Sequence, residues 1–400
     1  MPTPDNSQNS QANEAAVSDD KITLLVGGKA HSDWSNYRID SDFLKAADAW
    51  QLTLGLPDSV FPENVARGAR VSVRVANDTV LSGRIDTVTR TVSRGAFSLA
   101  LNGRDDAGIL VDCAAPIFSA AQLALEEVIA RIVRPLGITK IRIQAESSSR
   151  NDKASINPGE RAWDALAKAA AGRGLWPWFE PDGTLVVGGP DYNAPPVATL
   201  VMNLNGEGNN LLSLEESSSI QGCYSELTIL AQGHARTVTS TTGESVDIWD
   251  DESAGKTGQN DFKSVAGDPT IPYYRPQIIV VGDADSSEQL NYRAKKAMAD
   301  ARLSGLDLVA EVKGHRTPDG VLWAPGQRVR IKSEPHGIDG IYFLMGRTFS
   351  LSRQDGQRTS LRFKEDGIWL PDAYPRRKTR HKGGRKGKDD IAVVPVWERK

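Results

Sequence analysis

Apolar and polar residues alternate strictly along Arg70-Val71-Ser72-Val73-Arg74-Val75, the two-residue period of a strand with one buried face. Asn77-Asp78 supplies a turn, Thr79 to Val92 continues as one or two further strands, and Gly95 precedes Phe97-Ser98-Leu99-Ala100-Leu101. Short strands at this spacing predict a barrel or sandwich. The period then changes. Ser119 and Gln122 are spaced as a capping box, Leu123, Ile129, Ile132 and Val133 recur at helical intervals, and Pro135 stops the run. A second helix is predicted after Asn157-Pro158-Gly159-Glu160, where Asn can cap and Pro suits the first turn, running through Trp163, Leu166 and Ala170 to Gly172. Trp176-Pro177-Trp178-Phe179, a Pro181-Asp182-Gly183 turn and Leu185-Val186-Val187 read as a hairpin.

Beyond a linker at Pro190–Pro196, strand-type sequence resumes with Glu226-Leu227-Thr228-Ile229-Leu230. Gly243 to Pro276 is rich in Gly, Asp, Ser and Pro, the composition of a long surface loop. A third helix is predicted over Ser287–Leu303 with Leu290, Ala294, Ala297, Met298 and Ala301 facing inward, and strands return from Leu306 to Lys364. The expected architecture is α+β and β-rich: a disordered leader (1–20), a first β-barrel (21–108), an α+β domain (109–190), a second β-barrel (197–242 with 306–370), an insertion of surface loop and helix (243–305), and a basic tail with an apolar end (371–400).

Two distant stretches echo one another. Ala66-Arg67-Gly68-Ala69-Arg70-Val71-Ser72-Val73, then Gly83-Arg84, then Phe97–Leu101 follows the same order as Ala324-Pro325-Gly326-Gln327-Arg328-Val329-Arg330-Ile331, then Gly346-Arg347, then Thr359-Ser360-Leu361-Arg362-Phe363. A duplication is the reading this favours, giving two similar barrels per chain. Cyclic copies would then form a ring with twice as many barrels as chains.

Composition narrows the function classes. The chain has 400 residues, 39% hydrophobic and 25% charged, an ordinary globular balance. No segment reaches bilayer-spanning length, and the polar start resembles no secretory signal, so synthesis in the host cytoplasm without stable membrane association is expected. Cys113 and Cys223 lack a CxxC context and read as two buried thiols. His31, His234, His315, His336 and His381 are scattered without ligand spacing, so no metal or cofactor is expected. Eight Lys/Arg and no acid lie between Arg376 and Lys388; removing them from the net charge of −3 leaves −11 on the rest. Gly383-Gly384-Arg385-Lys386-Gly387-Lys388 has the wrong spacing for a phosphate loop. The basic run reads as a solvated tether, carrying Val393, Val394, Val396 and Trp397 as an anchor for strand addition or pocket insertion on a neighbouring protein. Contact of that tether with DNA is the competing reading. The acidic pairs Glu126-Glu127, Glu215-Glu216 and Asp250-Asp251-Glu252 could serve a glycosidase only if two faced each other across a cleft, and Trp163, Trp176, Trp178, Phe179 and Trp323 read as core or interface anchors before sugar platforms.

The run Leu101 to Ala115, with Gly103, Arg104, Asp105, Leu110, Val111, Asp112, Cys113 and Ala114, resembles the junction after the first barrel in baseplate hub proteins of Mu-like contractile phages. Pro158, Gly159 and Glu160 resemble that family's second-domain helix start, Asp319, Gly320, Leu322, Trp323 and Gly326 its later barrel signature, and Leu370-Pro371-Asp372-Ala373-Tyr374 the end of its folded part. The resemblance implies a non-enzymatic structural subunit of the virion. It implies a homotrimeric, pseudo-six-fold ring between tail tube (or tube adaptor) and central spike, with a channel for tape-measure protein and then DNA, and with baseplate wedge proteins as further neighbours. A tail-associated cell-wall hydrolase or glycan-binding module is the alternative.

Overall fold

The computed structural model describes residues 20–56, 61–94, 96–144, 152–171, 175–232, 238–239, 245–246, 262–283, 287–368 and 392–393. Seven strands come first: β1 (Ile22–Val26), β2 (Lys29–His31), β3 (Asn36–Asp42), β4 (Ala49–Gly55), β5 (Arg70–Val75), β6 (Asp78–Ser93) and β7 (Ala96–Asp105). Val71, Val73 and Val75 are buried, as their alternation requires. Thr79–Val92 lies within one long strand, β6. All neighbours in this set are antiparallel.

The middle segment holds α1 (Ala107–Asp112), β8 (Ser119–Leu123), α2 (Leu125–Val133), β9 (Ile141–Ile143), β10 (Asp152–Ser155), α3 (Ala162–Ala171), β11 (Trp176–Phe179) and β12 (Leu185–Gly188). Its core joins Leu110, Ile129, Ile132, Val133, Leu166 and Leu185. Two expected helix starts move. Ser119–Leu123 is a strand paired with β10, and the helix begins at Leu125, where Glu127 accepts from the Ala124 N–H at 3.2 Å. Residues 157–160 form a turn ahead of α3, closed by the Glu160 N–H on the Asn157 carbonyl at 3.0 Å. The hairpin of β11 and β12 is formed, with Gly183 in its turn at φ +81°.

Next come β13 (Ala198–Met202), β14 (Ser213–Ser218), β15 (Glu226–Gln232), β16 (Val238–Thr239), β17 (Ser245–Val246), β18 (Phe262–Gly267), β19 (Pro276–Asp283), α4 (Ser287–Leu303), β20 (Leu306–Lys313), β21 (Arg328–Ser333), β22 (Ile338–Ser352), β23 (Gly356–Glu365) and β24 (Ala392–Val393). β15, expected in the second barrel, instead sits between β18 and β19 in a separate three-stranded sheet covered by α4. Residues 262–276, expected as loop, contribute β18 to it. The strand is there because Leu227, Ile229 and Ala231 bury one face against Leu290, Ala294 and Met298 of α4.

The strands around this insertion form a second set, in the order β14-β20-β23-β22-β21-β13. The first set runs β3-β4-β7-β6-β5-β1, with β2 beyond it. Numbered by chain position within each set, both read second, third, sixth, fifth, fourth, first. One orientation differs: β1 is antiparallel to β5, whereas β13 is parallel to β21. The echo is therefore built into matching three-strand meanders, and even a local irregularity repeats. The Gly68 N–H donates to the Ile85 carbonyl (2.7 Å) and the Ile85 N–H to Ala69 (3.0 Å); Gly326 donates to Leu344 (2.8 Å) and Leu344 to Gln327 (2.9 Å). These ladders equate Ile85 with Leu344, so the Gly83-Arg84 and Gly346-Arg347 pairs of the sequence echo are not equivalent positions.

Two separate closed cylinders are not what the ladders make. β3 pairs with the distal part of β22, from Gly346↔Asp42 to Leu351↔Tyr37, and both sets join in one open 13-stranded sheet. One apolar cluster, including Leu24, Ile39, Trp50, Leu101, Leu308, Phe349 and Phe363, runs through both.

Candidate functional site at the joint of the strand sets

The β3–β22 joint collects groups that sequence spacing keeps far apart. Arg347 on β22 is 5% exposed; it donates to the Ile39 carbonyl at 3.1 Å and lies 3.9 Å over the Phe349 ring. Burial lowers its pKa to about 10, against the charges of Asp48 and Asp40. Asp48 accepts from the Asp42 N–H at 2.9 Å. Burial raises its pKa to about 6 even though hydrogen bonds and Arg347 oppose the shift. Asp105, two residues before α1, accepts from the Ala107 N–H at 3.1 Å; burial and then the charge of Asp48 push its pKa well up. Arg362 fastens Asp307 at 2.8 Å and reaches Asp42 at 3.3 Å.

His315 is enclosed beside this joint. Thr359 donates to the Gly314 carbonyl at 2.5 Å, so His315 Nδ1–H donates to Thr359 Oγ1 at 3.0 Å and Nε2 accepts from the Tyr37 hydroxyl at 2.7 Å. Burial lowers its pKa to about 4, so the ring is neutral at physiological pH. Arg316 next to it ties the sets together, donating to Asp20 (2.8 Å) and Asp78 (2.7 Å).

A cleft of about 250 Å³ opens where the two sets meet the middle segment, lined among others by Asp48, Asp105, Trp178, Glu180, Pro325 and Arg347. Ligand pockets usually measure about 300–1,000 Å³. Phe43 binds the three parts: its ring meets Trp178 at 5.3 Å and stacks near Phe343 at 6.5 Å, and its carbonyl accepts from Trp176 Nε1 at 2.6 Å.

The resemblance residues lie in several places, most of them where β7 passes into the middle segment. Gly103 lies opposite Ile85, where an added Cβ would stand 2.0 Å from the Arg84 carbonyl and 2.7 Å from Trp50. Arg104 holds Asp86 (2.6 Å) and both oxygens of Asp112 (3.0 and 2.6 Å), fastening α1 to β7. Leu110 is fully buried and Val111 packs on the same cluster. Cys113 is half-buried rather than buried, and its carbonyl accepts from Ala162 at 2.9 Å. Ala114 bridges Arg161, and Ala115 donates to Glu160 at 2.8 Å, so the 103–114 and 158–160 stretches meet although Pro158 and Gly159 stay exposed. Asp319 and Gly320 form a turn, Leu322 bridges Arg316, Trp323 is 1% exposed, and Gly326, at φ +93°, lies against Phe43. Trp163 and Phe179 are also buried, as core anchors are.

Of the expected anchor, Val393 lies in β24, which extends the β11-β12-β9 sheet by pairing Ala392↔Ile143 and Val393↔Arg142 within this chain. Val394, Val396, Trp397, Asp250-Asp251-Glu252 and Gly383–Lys388 lie outside the described residues. Glu126-Glu127 begin α2, and Glu215-Glu216 sit on β14, an exposed edge strand. Sequence reading missed Asp48, Tyr37 and Arg316 altogether and met Thr359 only within the echo. It met Arg347 only as part of the echo and His315 only as one scattered histidine.

Family models match along the chain in order: "Mu phage baseplate assembly protein GpP-like, N-terminal" at 21–105, "Baseplate hub protein gp44-like, second domain" at 107–189, "Tail protein NMB1110-like, third domain" at 250–298, and "Tail protein, C-terminal domain" at 300–368. Baseplate hub protein gp44 of Escherichia phage Mu is 25% identical over 385 residues, 94% of this chain and 96% of that protein. The crystal structure of a tail protein from Neisseria meningitidis MC58 is 40% identical, covers 89% of this chain and 99% of its own, and superposes with a TM-score of 0.75. The 43 kDa tail protein of prophage MuSo2 from Shewanella oneidensis shares the fold at 20% identity and a TM-score of 0.72, covering 88% of this chain and all of its own. With its matched domains in this order along its length, the chain belongs to the family of Mu-like phage baseplate hub tail proteins.

Proposed function

We propose that this protein is a structural hub subunit of a contractile-tail baseplate, acting as a homotrimeric ring. The observation that carries the reading is the matched strand order of the two six-strand sets. Three chains around an axis set six similar units in one circle while keeping true three-fold symmetry. Such a ring meets a six-fold tail tube on one face and a three-fold central spike on the other, leaving a channel for tape-measure protein and DNA during genome ejection. In this reading residues 21–105 form one barrel-type unit, residues 197–218 with 306–368 the other, and residues 107–189 a separate domain. The charged joint holds the two units of one chain at a fixed angle. The basic tail then works as a tether whose apolar end adds to a sheet edge.

Light scattering of the purified chain is expected to give three times the monomer mass, and negative-stain images a ring with a central hole. A monomer at every concentration would sink the proposal. One observation favours a hydrolase instead: Asp48 and Asp105, both with raised pKa values, line a cleft with Trp178. Clearing of cell-wall material that disappears on Asp48→Asn would select that reading.

A further inference from the structure

Within the chain, β3 of the first set fills the open side of β22 in the second. Both long strands have the same two-part build. The proximal part of β22 pairs with β21 and its distal part, Gly346–Leu351, with β3; the proximal part of β6 pairs with β5, but its distal part has β7 on one side only among the described residues. The equivalence of Ile85 with Leu344 makes Thr87–Val92 the counterpart of Gly346–Leu351. There Thr89, Arg90, Thr91 and Val92 are exposed, Val92 at 61%. The counterpart of β3 is β14, which among the described residues pairs with β20 alone and is exposed nearly throughout. An edge of free N–H and C=O groups is a template for another strand.

We infer that β14 of one copy adds to the distal part of β6 of the next copy, repeating between chains the β3–β22 pairing made inside each. The register follows from the ladders. Tyr37 faces Leu52, which faces Leu101; Leu214 faces Ala310, which faces Leu361; and Leu101 and Leu361 face the equivalent Val88 and Arg347. Leu214 therefore takes the place of Tyr37, and Glu216 that of Ile39. Inside the chain Tyr37 faces Leu351 and Ile39 faces Phe349. Between copies the same antiparallel register sets Leu214 against Val92 and Glu216 against Arg90, apolar against apolar and acid against base. This register comes from backbone pairing alone, so the complementarity of the side chains is an independent support. The contact is head-to-tail, and closes a ring when the rotation per step closes.

This inference rests on the ring reading and names its contact, and one experiment separates their failures. In full-length protein with Cys113→Ala and Cys223→Ala, Val92→Cys with Leu214→Cys, and separately Thr91→Cys with Glu215→Cys, are oxidised mildly and run on a non-reducing gel beside a light-scattering measurement. Directly opposed residues have Cβ atoms about 4.5–5.5 Å apart, within reach of a disulfide after small adjustment. Interchain bands rising to the ring's copy number are expected, and none from any single-cysteine variant. Arg90 also donates to the Val65 carbonyl at 2.8 Å and lies over Phe61 within its own chain, so the charge is tested on the other partner: Glu216→Arg is expected to weaken assembly up to about fivefold and Glu216→Gln by less. A ring-sized particle that cross-links through neither pair overturns the edge pairing and leaves the ring standing. A monomer that never cross-links overturns both.

Discussion

Replacing Arg347 by Met tests whether the charged joint is one coupled unit. Met matches the aliphatic length of the side chain and keeps contact with Phe349, but removes the donor to the Ile39 carbonyl and the positive charge beside Asp48. Arg347 makes no ion pair with Asp48 among the described residues, so what is lost is its hydrogen bond to the Ile39 carbonyl and a longer-range charge interaction, about 1–3 kcal/mol, offset in part because its Nε is buried without a partner. Asp48, already raised to about 6, loses an interaction that held it down and moves higher. A carboxyl with a raised folded-state pKa binds its proton when the unfolded chain has released it, so stability falls as pH rises from the unfolded value through the folded one. A tenfold change in a group's proton affinity corresponds to about 1.4 kcal/mol. Relative to wild type, the variant's deficit is therefore expected to be greatest at pH 7–8 and to shrink by about 1–3 kcal/mol toward pH 5. His315 has the opposite sign in wild type, its lowered pKa making stability rise between about pH 4 and the ordinary histidine value. Arg347 contributes to that lowering, so its loss weakens the rise and acts in the same sense as Asp48. Urea unfolding at pH 5, 6, 7 and 8 gives the global loss, and amide exchange of peptides covering 36–42 and 346–351 locates it. Adding Asp48→Asn should return part of the loss and flatten the pH dependence. A loss under about 1 kcal/mol at pH 7, or strictly additive single changes, would refute the coupled joint.

Gly103→Ala sets a methyl against the Arg84 carbonyl and Trp50, forcing β6 and β7 apart; a loss of about 2–3 kcal/mol is expected by urea unfolding. Gly55→Ala, with open space at the same distance from its backbone, should change stability by less than about 1 kcal/mol, and equal losses at the two sites would contradict the packing account. Deleting residues 389–400 removes the strand on β9 and is expected to leave the unfolding of the 13-stranded sheet unchanged while reducing incorporation of the subunit into assembled baseplates. Full incorporation of the truncated chain would remove the anchoring role.

Local order was largely written along the chain. The Val71, Val73 and Val75 alternation marked β5, the apolar spacing in Ser287–Leu303 marked α4, and Gly68 and Gly326 marked matching turns, because these patterns depend on the period of the backbone and on torsions of single residues. Helix starts were less legible: Ser119 and Asn157 have capping chemistry, yet strand pairing with β10 and a closed turn took those backbone groups first. Only the tertiary structure decided that β15 belongs with α4 and that β3 lies on β22, some three hundred residues away. It also brought Asp48, Asp105 and Arg347 to one cleft. The reason is physical: a strand's side-chain period tells which face is buried, while the edge it joins is chosen by backbone hydrogen bonds that are alike for every residue, so partner and register are settled only when the whole core packs.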